Sequence, residues 1–409
     1  MVDIGRLEES WRLVAGHGDQ VPLRFYGRLF VAHPEVREMF PLSMATQRDR
    51  FVAALGHSVS QVGDLEALTP FLRQLAGDHR KFGVQPEHFG AVGEALLATL
   101  ADFLGEGWTE QLAGDWTTAY QLVASVMIDA LEESARTGPP WWEAEVVAHD
   151  QRTFDIAVLT LRPEPVYAYV AGQSVPVETE LRPRVWRHYS PANAPRADGT
   201  LDLHVRRAPG GQVSGALVDS VREGDRLRLG APMGQRLTLD GGVPDGGAGG
   251  GYGLRGIVMI AGGTGLAPLK ALVEQLAAEA TAGGGGAGGA APLPVTLFFG
   301  AQTTRELYDL NALRALADRL PWLEVVASVA DTTDPLHDHE TGTSVEVALR
   351  RGPWPDHDIY LCGSDDMVAA SARQLLRAGC AVERIRWEGF HGLGGEAYGV
   401  IDLEEDSPR

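Results

Sequence analysis

Cysteine is almost missing: only Cys362 and Cys380 occur in 409 residues. Two thiols cannot build a disulfide framework or a cysteine-ligated cluster. So small a supply fits a reducing compartment, and a cytoplasmic protein is expected. No uninterrupted apolar run is long enough to span a bilayer. The opening residues, MVDIGRLEES, carry both signs of charge and no apolar stretch, so no signal peptide is expected. Positive charge is also scarce: Lys and Arg total 35 against 55 Asp and Glu, a formal net charge of −20. Such a surface repels nucleic acid and anionic lipid, which excludes both as partners.

What remains is the material of folded domains, 44% hydrophobic and 22% charged. The chain is too long for one ordinary core, so two or three domains are expected. From Leu7 to about Ala135 the apolar residues recur at helical spacing. Leu122, Val123, Val126, Met127, Ala130 and Leu131 share one helix face; Phe51, Leu55, Ser58 and Val59 outline another. Helix starts are expected at His33-Pro34-Glu35 and Gln85-Pro86-Glu87. Gly138-Pro139-Pro140 reads as a linker.

Beyond it come short β-runs: Glu143–Val147, Phe154–Leu161, Val185–Tyr189, Leu201–Arg206 and Arg226–Leu229. Many short strands between turns predict a small antiparallel barrel. From Ile257 the runs become continuously apolar, at Ile257–Ile260, Val295–Phe299, Leu323–Ser328 and Ile359–Cys362. Helical stretches separate them, notably Ala267–Ala280 and Ser364–Ala378. That alternation predicts a parallel sheet covered on both faces. The Gly- and Ala-rich tracts Gly241–Gly253 and Thr281–Ala291 are expected to be surface loops. The expected fold class is therefore multidomain. An all-α domain spans 1–138, an antiparallel β-barrel 139–253 and a doubly wound α/β domain 254–395, with an acidic tail at 396–409.

Two sets of residues carry chemistry. In the helical part, a histidine on a helix can ligate haem iron, but with 12 histidines in the chain His79 alone says little. Tyr26 and Phe40, taken alone, are ordinary aromatic core. In the remainder, Arg187-His188-Tyr189-Ser190 ends a strand, and Gly210-Gly211-Gln212-Val213-Ser214 precedes a short apolar helix, Gly215–Val221. Arginine pairs with a pyrophosphate, and backbone N–H groups at a glycine-led helix start bind phosphate. Ile257–Ile260 runs into Ala261-Gly262-Gly263-Thr264-Gly265 and then a helix opened by Pro268. Such a strand, glycine turn and helix admits a dinucleotide at the helix N-terminus.

The stretches FYGRLFVAHPEVREMF, QRDRF and DHRKFGVQPEHF resemble the globin domain of flavohaemoglobins, over about residues 1–135. The blocks from 140 to 392 resemble ferredoxin-reductase-like flavoproteins, in order: Arg-x-Tyr-Ser, the glycine turn, Tyr360-Leu361-Cys362-Gly363 and Trp387-Glu388-Gly389-Phe390. The whole chain looks like a flavohaemoglobin.

That resemblance implies haem b, FAD and NAD(P)H as cofactors. It makes His79 the proximal iron ligand and Phe40 a ring packed on the haem. Tyr26 and Gln47 become hydrogen-bond donors to O2 on the distal side, Gln47 lying 79 − 47 = 32 residues before His79. An ungapped count places Arg50 at the distal position instead. The resemblance assigns Arg187, His188, Tyr189, Ser190, Gly211, Gln212, Val213 and Ser214 to FAD. It assigns Gly262, Gly263, Thr264, Gly265, Cys362 and Gly363 to the nicotinamide dinucleotide, with Glu388 and Phe390 closing the flavin face. Arg305, after the strand Val295–Phe299, is placed either to meet a 2′-phosphate or to face solvent.

The implied activity is nitric oxide dioxygenase, turning NO and O2 into nitrate, with no obligate protein partner. Rival readings are an NAD(P)H oxidoreductase with another acceptor and a haem-based gas or redox sensor. The chain departs from the family at three places. Phe89 and Leu131 stand where a proximal Tyr and Glu are usual, and Ser174 where an aromatic residue follows Gly-Gln. Glu132 is no substitute for the glutamate, because one residue is roughly 100° of helix rotation.

Overall fold

The computed structural model describes residues 2–234, 236–239, 255–283, 293–331 and 339–389. Phe390, the acidic tail and most of both Gly-rich tracts lie outside the described residues. The chain divides into two compact units, Met1–Trp142 with Pro183–Val185, and Glu143–Arg182 with Trp186–Arg409.

The first unit is helical: α1 (Ile4–Ala15), α2 (Gln20–Ala32), α3 (Ala45–Gln61), α4 (Leu65–His79), α5 (His88–Leu104) and α6 (Glu110–Thr137). Three starts are capped by short polar side chains. Asp3 accepts from the Arg6 N–H, Asp64 from Ala67 and Thr109 from Leu112. The expected start at Pro34 opens a 3-10 run, Pro34–Met39, in place of an α-helix. At Gln85-Pro86-Glu87 the chain turns first, and the Gln85 N–H donates to Nδ1 of His88 at 2.9 Å. Leu7, Phe25, Leu29, Leu100 and Trp116 anchor one core. A second joins Leu68, Leu72 and Ala76 of α4 to Met127, Ala130 and Leu131 of α6.

The second unit begins with an antiparallel sheet of β1 (Trp142–Gln151), β2 (Ile156–Glu164), β3 (Val175–Thr179), β4 (Arg187–Tyr189), β5 (Leu201–Arg206) and β6 (Arg226–Leu229), with α7 (Gln212–Asp219) between the last two. The order is β4-β3-β6-β1-β2-β5, and a bridge from Pro191 to Leu203 of β5 brings the two edges together, nearly closing a barrel. The sequence reading missed β3. Its Pro176 argues against an interior strand, yet β3 lies between β4 and β6, every residue buried.

A parallel sheet follows: β7 (Gly256–Gly262), α8 (Leu266–Gly283), β8 (Val295–Ala301), α9 (Leu310–Ala317), β9 (Leu323–Val329), β10 (Glu340–Thr341), α10 (Ser344–Arg351), β11 (His357–Gly363), α11 (Asp365–Arg377) and β12 (Ile385–Gly389). Alternate strand residues serve opposite faces. Ile257, Met259 and Ala261 pack with α8 and α9, while Val258 and Ile260 pack with α10 and α11. Burial on both faces is why these strands read as unbroken apolar runs. The order β10-β9-β8-β7-β11-β12 shows the chain stepping outward from β7 in one direction, then returning to its other side. That reversal opens a ligand crevice at the carboxyl ends of β7 and β11.

Candidate active site

In the helical unit, Tyr26 of α2 is 6% exposed. Burial pushes its phenol up to about 12, and a hydrogen bond with Gln47 works against that shift. Gln47 is in the first turns of α3, so the fold brings α2 and α3 together at this pair. Arg50, one turn further on, has its charge beside Lys81. The aromatic ring of Phe40, which ends the 3-10 run, lies 5.5 Å from that of Tyr26.

His79 is the last residue of α4, and its Nδ1 is 2.7 Å from the Leu75 carbonyl oxygen. A carbonyl only accepts, so Nδ1 carries the proton and Nε2 keeps its lone pair. That is the tautomer a metal ion needs. Two residues on, the nearly buried Lys81 is ion-paired with Asp78. Burial lowers its affinity for the proton, the Asp78 charge restores part of it, and the Arg50 charge lowers it again. Phe89 and Leu131 pack into the apolar cluster that holds Leu75 and Ala76. His88, the nearest rival ligand in sequence, is engaged by the Gln85 N–H.

In the second unit, Arg187, His188 and Tyr189 make up β4, paired with β3 through Val175–Tyr189 and Val177–Arg187. Ser190 follows directly. Burial pushes the Tyr189 phenol up, and the Arg187 charge counters it. Ser174 exchanges two backbone hydrogen bonds with Met233, at 2.9 and 2.8 Å, so the strand entry is held without an aromatic side chain. Gly211 is the N-cap of α7 and supplies no capping side chain, which leaves the first-turn N–H groups of Gln212, Val213 and Ser214 for an anion. The helix therefore begins earlier than Gly215. A Cβ at Gly211 would sit 2.4 Å from the Ser214 Oγ and 3.1 Å from the Ala208 carbonyl oxygen, so a side chain there would make the Ser214 hydroxyl shift.

Gly262 ends β7, and Gly263-Thr264-Gly265 form one 3-10 turn before α8. A Cβ at Gly265 would stand 2.2 Å from the Cys362 carbonyl oxygen. This close approach presses the glycine turn onto the end of β11. Register then sets Ala261, Cys362 and Glu388 side by side on β7, β11 and β12. Burial pushes Glu388 up to about 7. The Cys362 thiol is pushed well up by its own burial and by the Glu388 charge.

Sequence reasoning missed Arg206. Its Nε bonds Asp155 at 2.9 Å and its Nη2 bonds Glu306 at 2.8 Å. Its Nη1 would be 3.6 Å from a Cβ on Gly263, so a guanidinium stands against the nucleotide turn. The only signal was an arginine pair at the end of a strand. Arg305 itself is exposed.

Family models match in the same order as these elements: Globin over residues 23–127, Oxidoreductase FAD-binding domain over 141–237 and Oxidoreductase NAD-binding domain over 259–373. A Flavohemoprotein of Bordetella parapertussis is 30% identical over 402 residues, covering 93% of this chain and 95% of that protein. The chain belongs to the flavohemoprotein family. Another member, the Flavohemoprotein of Bacillus subtilis, is 26% identical over 395 residues, covering 91% of this chain and 93% of its own. The solved flavohemoglobin of Malassezia yamatoensis, with bound FAD and heme, superposes with a TM-score of 0.74 at 20% identity. It covers 95% of this chain and 98% of its own, and it attests the fold.

As a flavohemoprotein the chain is an oxidoreductase with haem, FAD and a nicotinamide dinucleotide as its cofactors. Its residues fit them. The His79 tautomer presents a nitrogen lone pair for iron. The uncapped, glycine-led start of α7 suits a flavin phosphate, and the glycine turn against β11 suits a dinucleotide. No described helix is long and apolar enough to cross a membrane.

Proposed function

We propose that this flavohemoprotein is an NAD(P)H-dependent nitric oxide dioxygenase that converts NO and O2 to nitrate. The observation that carries the reading is the Tyr26–Gln47 pair, a buried phenol already hydrogen-bonded to an amide, in the same helical unit as a histidine fixed in its metal-binding tautomer. When bound, FAD turns a hydride into single electrons and haem supplies the iron at which O2 and NO combine.

The chain's own residues then have distinct work. His79 holds the iron through Nε2, with its ring oriented by Leu75. Tyr26 would donate its O–H to O2, and burial keeps the phenol protonated at physiological pH. Gln47 orients that hydroxyl. Arg187 would pair with the flavin pyrophosphate, and Tyr189 and Ser190 would meet the flavin ring. Gly262, Gly263, Thr264 and Gly265 admit the dinucleotide, and Cys362 and Gly363 border the nicotinamide. Glu388, its proton affinity raised by burial, closes that end of the sheet beside Cys362. The two buried free cysteines support a cytoplasmic setting.

The test is product analysis. Purified protein given NAD(P)H, O2 and NO should form nitrate and consume NO only when all three are present. Oxidation of NAD(P)H without nitrate would favour the second reading, an oxidoreductase with another acceptor. That reading is motivated by Phe89 and Leu131, which stand where the family resemblance expects a Tyr and a Glu and pack in the apolar cluster with Leu75 and Ala76.

A further inference from the structure

We propose that Tyr308 is a positioning residue for hydride transfer: tied to His204 of the barrel, it holds the Cys362 end of β11 at a set distance from the flavin module. The proposal rests on the dinucleotide reading above, in which Cys362 borders the nicotinamide.

The segment after β8 is bonded to the barrel at three points in a row. Glu306 accepts from Nη2 of Arg206 at 2.8 Å, the Tyr308 hydroxyl lies 2.8 Å from Nδ1 of His204, and Asp309 is 3.6 Å from Nη1 of Arg152. Arg152, His204 and Arg206 lie in the FAD-binding stretch, and Glu306, Tyr308 and Asp309 in the NAD-binding one. All three bonds therefore cross between the two modules of the second unit.

They are not equal. The Arg206 and Arg152 side chains are 37% and 34% exposed, so solvent reaches both ion pairs and screens them. His204 is 5% exposed. Burial pushes its imidazole well down and the Tyr308 phenol well up, so both groups stay neutral. Salt does little to such a bond, and breaking it leaves a buried group unsatisfied. The two rings also meet edge to face, with centroids 5.4 Å apart and planes at 82°.

The pair connects the flavin side to the nicotinamide side. β5, which carries His204, runs on to Gly211 and the start of α7, the proposed flavin phosphate site. Tyr308 packs against the buried cluster that holds Ala261 and Cys362, close enough for the Cys362 thiol to act on its phenol. Hydride transfer moves two electrons and a proton from a nicotinamide carbon to a flavin nitrogen. The dinucleotide is oxidised, the flavin is reduced and no other reactant is needed. Its rate falls steeply when the two rings are misplaced.

The test follows flavin bleaching after anaerobic mixing of the holoprotein with NADH or NADPH. Tyr308→Phe keeps the ring and removes the hydroxyl. Its limiting rate of flavin reduction should fall about tenfold, part of the roughly hundredfold that a 1 Å misplacement can cost. The dissociation constant of the dinucleotide should change less than about threefold, because no group proposed to touch it is removed. The long-wavelength charge-transfer absorption of the reduced flavin with oxidised dinucleotide bound reports ring contact without turnover, and it should weaken in step. His204→Leu should reproduce both losses, and the double variant should lose no more than either single one, because they share one bond. His204→Asn, which keeps a polar atom near the Nδ1 position, should recover most of the rate. An unchanged limiting rate and charge-transfer absorption in Tyr308→Phe, or losses that multiply in the double variant, would overturn the proposal. A wild-type flavin bleached by neither dinucleotide would instead strike the dinucleotide reading beneath it.

Discussion

Nδ1 of His79 donates to the carbonyl oxygen of Leu75, 2.7 Å away and one helical turn earlier. The imidazole proposed as the proximal ligand is thus oriented by a neutral backbone acceptor, and Phe89 and Leu131 pack in the apolar cluster with Leu75 and Ala76 of the same helix. A carboxylate there would raise ligand basicity and electron donation to iron; a carbonyl does so less.

The iron–histidine stretching frequency of the reduced protein, read by resonance Raman, should accordingly lie below that of relatives with a Tyr and Glu behind the histidine. Phe89→Tyr combined with Leu131→Glu should raise it, if the introduced carboxylate finds partners for its charge. A wild-type frequency already at the higher level would show that some other group supplies the proximal hydrogen bond.

His79→Ala should abolish the Soret band while leaving the flavin absorption intact, because the proposed ligand lies in the helical unit and the residues proposed to bind flavin in the other. Full haem content in that variant would reassign the ligand.

Tyr26→Phe removes one buried donor while keeping the ring and its aromatic contacts. O2 should then leave the reduced protein faster by about tenfold, the equivalent of roughly 1.4 kcal/mol for a lost hydrogen bond. Stopped-flow displacement of O2 by carbon monoxide measures this, and an unchanged rate would remove Tyr26 from the O2 site.

Arg187→Ala should weaken FAD binding by tenfold or more, since a charge-assisted contact contributes about 1.5–3 kcal/mol. Equilibrium dialysis or fluorescence titration of the apoprotein would check it. Unaltered affinity would mean that Arg187, exposed on a three-residue strand, serves another purpose.

Glu388 makes stability depend on pH in a defined direction. Its carboxyl is raised from 4.5 to about 7 by burial, so between those values the folded chain holds a proton that the unfolded chain has lost. Stability is therefore full at the acid end of this window and falls as pH rises through it, levelling above about 7, by an amount on the order of 3 kcal/mol. Urea denaturation of the flavin-loaded protein at pH 5.5 and 8 should show about 2 kcal/mol of this loss, because pH 5.5 already lies inside the window, and Glu388→Gln should reduce it. An identical loss in the variant would place its origin elsewhere.

By itself the sequence determined whatever is set by local period and local backbone chemistry. Helical spacing marked the first unit, unbroken apolar runs marked strands buried on both faces, and the glycines after Ile260 marked a tight turn between a strand and a helix. Each of these depends on residues within a few positions of one another. Tertiary structure alone decided the pairings between distant segments. Tyr26 meets Gln47 and Phe51 because α2 packs on α3, and Cys362 meets Glu388 because β12 joins the sheet in that register. It also decided that β3 is an interior strand despite Pro176, since neighbouring strands supply burial that local propensity cannot foresee. The charge on Glu388 belongs to the same class: a carboxyl's proton affinity depends on what surrounds it, and here the surroundings are the other strands of the sheet.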